Sequence, residues 1–201
     1  MTINLPEVLQ EVQGYVEALY KKFQSADLLY HNLEHTQKVV QRCNEISAAY
    51  VINGTDVFIL TVAAWFHDTG HLFGVPHNHE ERSVDIMKDF LAKKVQDAAI
   101  TDAVAGCIMA TKMPYHPVTL VEKIICDADT YHLGTKDFID TDSRLKKELQ
   151  LRINTPDENW DSNTLTMLIK HKYFTSYCRE LLEKGKHENI AVVIKRIQDN
   201  L

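Results

Sequence analysis

Apolar residues recur at helical spacing along the whole chain. Leu5, Val8, Leu9, Val12, Tyr15, Val16, Leu19 and Phe23 lie three and four apart, with Pro6 in the first turn, and predict an amphipathic helix over 6–24. A second stripe, Val39, Val40, Cys43, Ile46 and Tyr50, follows Asn32 as a cap and is expected to stop at Asn53-Gly54. Val57 to Phe66 is apolar without a break and predicts a buried helix capped by Thr55-Asp56. Helical patterns restart at His79 and run again over 97–110, 120–131 and 137–154, the last with Phe138, Leu145, Leu149 and Leu151 expected inward. Pro156 to Asn163 reads as a loop, 164–184 as a helix stopped by Gly185, and 189–198 as the closing helix. No strand alternation of any length is present. The prediction is an all-α protein, a single globular helical bundle over 1–201.

Composition narrows the partners. The chain is 45% hydrophobic and 25% charged, ordinary for a soluble globular protein. A net charge of −6 argues against a general electrostatic grip on nucleic acid and favours a small molecule over a long polymer. The longest apolar run is about ten residues, short of the ~20 that span a bilayer, so no membrane partner is expected. Met1 to Glu7 lacks a basic region followed by an apolar stretch, and no signal peptide is expected. Cys43, Cys107, Cys126 and Cys178 form no CxxC pair and sit mostly in apolar helical patterns. They read as reduced core residues of a cytoplasmic protein.

The chemistry gathers at helix ends. His67-Asp68 closes the apolar run, where an unpaired carboxylate is costly unless a cation or hydrogen-bond donors meet it. A divalent cation is the simplest partner for an imidazole beside a carboxylate. His35 follows Asn32 on the side of Val39, and His31 lies four residues before it. His71, His77 and His79 crowd the Gly-rich loop after Asp68. Asp127 and Asp129 end another apolar helix, Asp127 reading as a solvated helix end.

Four motifs stand in order: Tyr30-His31-Asn32-Leu33-Glu34-His35, Phe66-His67-Asp68, Asn78-His79-Glu80-Glu81-Arg82-Ser83, and Asp127-Ala128-Asp129 through Leu133-Gly134. Their order resembles the HD superfamily of metal-dependent phosphohydrolases, in its small single-domain members. The resemblance covers about residues 28–150 and implies that His35, His67, Asp68 and Asp129 bind one divalent metal. It implies His79 and His116 as candidates for a second ion. His116 departs from the family's Ala-Thr-x-x-His pattern, lying five residues past Thr111 with Pro114 between. His71 is implied to face the substrate phosphate, and Arg82, within a motif, to hold it; Lys38 and Arg42 share the face of His35 as further candidates. His132, His171 and His187 lie outside any motif and read as structural or surface residues.

The implied activity is hydrolysis of a small-molecule phosphoester: a nucleotide, a related phosphomonoester or a cyclic phosphodiester. Attack is by metal-bound hydroxide, the ion lowering the pKa of bound water from about 16 to about 7. Imidazoles and carboxylates without thiolate favour Mn, Fe, Co, Ni or Zn, as one or two ions, and Mg fits an oxygen-richer second position. Two rivals remain: a di-iron oxygenase of the same fold, and a non-catalytic metal- or nucleotide-binding regulatory module.

Overall fold

The structure, a computed structural model, describes residues 5–154 and 158–199. Among them it holds nine α-helices, two 3-10 turns and no strand. The all-α prediction is therefore met, and no helix is long and apolar enough to cross a membrane.

The core is built around α3, Gly54–Phe66. Its Phe58, Leu60, Val62, Ala63, Ala64 and Phe66 are all buried, so it is apolar on nearly every side. Such a helix needs neighbours all round. It packs against α1 (Leu5–Phe23), α2 (Leu33–Ser47), α5 (Ala98–Ala110) and α6 (Leu120–Asp129). α1 presents Val8, Val12, Val16 and Tyr20, one residue per turn, as its buried stripe. The cap of α3 is Asn53, whose side chain accepts from Asp56 N, rather than Thr55-Asp56; α2 has already ended at Ser47. Asn53 thus starts one helix instead of stopping another.

A 3-10 turn, Thr69–Leu72, follows α3 and packs on α4, His79–Leu91. A Cβ at Gly70 would overlap the carbonyl of His79, so only glycine lets the turn lie this close. Asn78 enters α4 with φ 58°, a left-handed conformation that Asn tolerates better than most residues.

The last third differs most from the periodicity reading. α7 spans Phe138–Ile153, but its buried residues are Phe138, Asp142 and Glu148, while Leu151 is exposed. α8 is Trp160–Lys170, so the expected loop over 156–163 is helical from Trp160, and Thr155 to Asp157 lie outside the described residues. α9 runs Ser176–Asp199 without interruption. Gly185 does not stop it. A Cβ there would overlap the carbonyl of Gly134, in the 3-10 turn Tyr131–Gly134, so the glycine permits close packing within the helix. α9 grips that turn further: Asn189 Nδ2 donates to the carbonyls of Leu133 and Thr135, each at 2.9 Å. Asp127 is buried, not solvated. It accepts from Phe174 N, Thr175 N and Thr175 Oγ1 at 2.6–2.8 Å, anchoring the chain just before α9, and burial pushes its carboxyl above the ordinary range.

The two kinds of glycine predict opposite outcomes. Gly185→Ala should destabilise the protein by about 1–3 kcal/mol through overpacking. Gly14→Ala, in an exposed turn of α1 with open space around it, should stabilise by roughly 0.4–1 kcal/mol. Thermal unfolding of the two variants beside wild type checks both, and equal melting temperatures would contradict the packing described.

Candidate metal centre

The ends of three helices, α2, α3 and α6, meet here. His35 comes from the first turn of α2, set by the Asn32 side chain accepting from His35 N at 3.0 Å. His67 and Asp68 follow the last turn of α3, and Asp129 is the last residue of α6. His35 Nε2 lies 3.1 Å from Asp129 Oδ1, 3.3 Å from Asp68 Oδ2 and 3.4 Å from His67 Nε2. His67 Nε2 lies 3.2 Å from Asp68 Oδ2 and 3.7 Å from Asp129 Oδ1. Ligands about 2.1 Å from a common ion stand about 3.0–3.4 Å apart, which is the spacing of most of these pairs.

The hydrogen bonds leave these atoms able to take a cation. His67 Nδ1 lies 2.9 Å from the carbonyl of Ala64, which only accepts, so Nδ1 donates and the neutral ring turns its Nε2 lone pair toward Asp68. Asp68 Oδ2 is buried and has no hydrogen-bond partner among the described residues. A carboxylate oxygen facing an imidazole lone pair is repelled unless a positive charge lies between them. In the metal-free protein protons take that place. Burial opposes charge on His35 and His67, but the flanking carboxylates outweigh it and hold both imidazoles above their ordinary value. Burial likewise opposes ionisation of Asp68 and Asp129, and the imidazoles outweigh it and hold both carboxyls low. The donor set of nitrogen and oxygen, without thiolate, fits a divalent ion of the Mn-to-Zn series. The four cysteines are buried and free, and none joins the cluster.

A second group of imidazoles flanks Asp68 on its other oxygen. His79 Nε2 is 3.5 Å and His71 Nε2 4.0 Å from Asp68 Oδ1. His79 Nδ1 faces the Pro76 carbonyl at 2.9 Å, which again leaves Nε2 as the lone-pair side. His31 stacks on His71, ring centroids 3.9 Å apart, and His31, Asp68 and His71 form a second triad of potential ligand atoms. Asp68 is common to both groups.

Two sequence expectations need correction. His116 is exposed and lines a separate cavity with Met109, Pro114 and Glu122, so the loop between Thr111 and Thr119 carries it away from Asp68. Arg82 is not free to hold phosphate. Its Nε, NH1 and NH2 donate to the carbonyls of Gly70, His77 and Val75, and so fasten the histidine-bearing loop to α4. Ser83 Oγ completes that fastening by accepting from Gly70 N at 2.8 Å.

Other residues, to which the sequence assigned no role there, reach the site. Glu148, on α7, is buried and accepts from Tyr30 N, His31 N and His31 Nδ1 at 2.6–3.0 Å. Arg152 pairs with it at 3.3 Å. Removing one partner of such a buried pair costs about 3–5 kcal/mol. Tyr30, Tyr115 and His132 line the cavity over the cluster. Burial pushes both phenols up, reinforced by the Asp129 carboxylate, and pushes the His132 imidazole down to about 4, so all three are neutral near pH 7. His171 is buried against Thr130 Oγ1 at 3.1 Å, and His187 stays on the surface.

No protein-family model and no curated protein matches the chain. Among solved structures it is similar to the crystal structure of a predicted HD superfamily hydrolase from an uncultured Thermotogales bacterium. The TM-score is 0.62 and the identity 18%, over 98% of this chain and 99% of that one. With the motif order and the helix-end convergence described above, the chain has the HD-domain fold.

Proposed function

We propose that the protein is a metal-dependent hydrolase of small-molecule phosphoesters. The observation that carries this reading is Asp68 Oδ2, buried and 3.2–3.3 Å from the Nε2 atoms of His67 and His35. His35, His67, Asp68 and Asp129 would hold one ion, and His79, with His31, would help hold a second that shares Asp68. When bound, the ion supplies Lewis acidity, acidifying a water and neutralising phosphoryl charge.

The cavity above Asp68 and Asp129, about 520 Å³, supports a small substrate. Met113, Tyr115, Leu145, Ile153 and Met167 give it an apolar wall, suited to a base, an aryl group or another flat body. The neighbouring cations are already engaged: Arg82 by loop carbonyls, Lys112 by Glu81 and Arg152 by Glu148. This favours one phosphate neutralised at the metal over a long polyphosphate tail, and so a nucleoside monophosphate or a phosphoester of similar size. Tyr30 and Tyr115, kept protonated, serve as hydrogen-bond donors to the substrate. His71 sits beside Asp68 for the leaving oxygen or a phosphoryl oxygen.

Protein loaded with Mn, Co or Ni should hydrolyse p-nitrophenyl phosphate and members of a nucleoside monophosphate panel. Asp68→Ala should lower kcat/KM by roughly 1000-fold, the several kcal/mol a metal supplies. Unchanged turnover in Asp68→Ala would contradict the reading, and two bound irons with O2 consumption would replace it with the oxygenase chemistry.

Metal binding should also be pH-linked. The carboxylates raise the imidazoles of His35 and His67 above their ordinary value in the metal-free protein, so near neutral pH an entering ion displaces protons. Affinity should rise with pH and weaken as pH falls. Titration calorimetry in two buffers of different ionisation enthalpy should report proton release at pH 7; none would contradict the protonated, metal-free cluster.

A further inference from the structure

α7 carries two side chains one turn apart that reach into the candidate centre, Glu148 and Arg152, with side-chain exposures of 0% and 6%. Each meets one of two stacked imidazoles by its Nδ1. Glu148 Oε1 lies 2.6 Å from His31 Nδ1, and a carboxylate beside a guanidinium only accepts, so His31 Nδ1 donates and its Nε2 carries the lone pair. Arg152 NH1 lies 2.9 Å from His71 Nδ1. A guanidinium only donates, so His71 Nδ1 must accept, and the ring proton sits on Nε2. The same guanidinium donates through NH2 to the carbonyls of His71 and Gly74 at 2.9 and 2.7 Å, which fixes its plane against the ring.

This sets His71 apart from its neighbours. His67 and His79 donate from Nδ1 to the carbonyls of Ala64 and Pro76 and present Nε2 lone pairs, as ligands must. His71 presents Nε2–H instead. That nitrogen is buried and has no hydrogen-bond partner among the described residues, and it lies 4.0 Å from Asp68 Oδ1. An unused buried donor beside the candidate ligands needs an acceptor, and a substrate oxygen supplies one.

We propose that Arg152 is a positioning residue that locks His71 in the Nε2–H tautomer, so that His71 donates a hydrogen bond to the substrate and is not a metal ligand. Glu148 and Arg152 thereby give the two stacked imidazoles opposite roles, His31 as a lone-pair donor and His71 as a proton donor. The catalytic part rests on the phosphohydrolase reading; the tautomer does not.

The test begins with two-bond proton–nitrogen spectra of the metal-free protein labelled at histidine, His71 being assigned by its absence from His71→Gln. His71 should show a protonated Nε2 and an unprotonated Nδ1. A protonated Nδ1 in wild type would overturn the proposal, whatever the protein hydrolyses. The second arm compares Mn-loaded wild type, Arg152→Met and Arg152→Lys on p-nitrophenyl phosphate. Arg152→Met should keep its metal content and lose kcat by roughly 100-fold, the range of a positioned proton donor, with Arg152→Lys recovering part of it. Loss of metal along with activity in Arg152→Met, or no loss of kcat in a correctly folded variant, would overturn the positioning role. Should wild type cleave no phosphoester, the hydrolase reading fails while the spectra still decide the tautomer.

Discussion

The arrangement of this protein depends on one buried carboxylate at the floor of a cavity. Asp68 follows a helix that is buried on nearly every side, and its Oδ2 faces the Nε2 atoms of His35 and His67 at 3.3 and 3.2 Å. An isolated buried charge of this kind is strongly disfavoured. The surrounding structure keeps it by bringing the ends of α2, α3, α4 and α6 together, so that ligand atoms from separate helices lie within a few ångströms. The packing therefore builds a cluster that can hold a cation. An ion held by His35, His67, Asp68 and Asp129 would join α2, α3 and α6 as well as act on a substrate.

Holding that cluster takes polar groups well behind it. Glu148 collects the backbone and ring of His31, Arg152 fixes His71, and Arg82 with Ser83 fastens the loop between Asp68 and α4. Each group occupies the nitrogen of a histidine that does not face Asp68, or the backbone that carries it. The Nε2 faces are thus directed by hydrogen bonds made on the far side of the rings. Asp127 does comparable work for the last helix, receiving three donors ahead of α9, which in turn grips the turn following Asp129.

The candidate ligands stand out in the sequence because each lies where a helical pattern begins or ends. Asn32 before His35, the apolar run before His67-Asp68 and the apolar face before Asp129 all mark termini, and termini are where side chains from different helices can meet. What was hidden lies on helices whose inward face is polar. α7 reads as a charged, partly exposed helix with Leu151 among its inward residues, yet it buries Asp142 and Glu148 and leaves Leu151 out, because its charges find partners that periodicity cannot show. α9 buries Lys186 and Asn189, and its Gly185 serves a close helix–turn contact; the pattern therefore broke into two apparent helices. Arg82 was read for its charge, whereas its value lies in donors matched to three loop carbonyls. His116, already off the family's spacing in the sequence, lies at a separate cavity.

The most direct measurement is anomalous diffraction from crystals grown with manganese or zinc, collected on both sides of the metal's absorption edge. The account predicts a peak bonded to His35, His67, Asp68 and Asp129 together. A fully loaded crystal with no peak at Asp68, or with its only peak elsewhere, would contradict it.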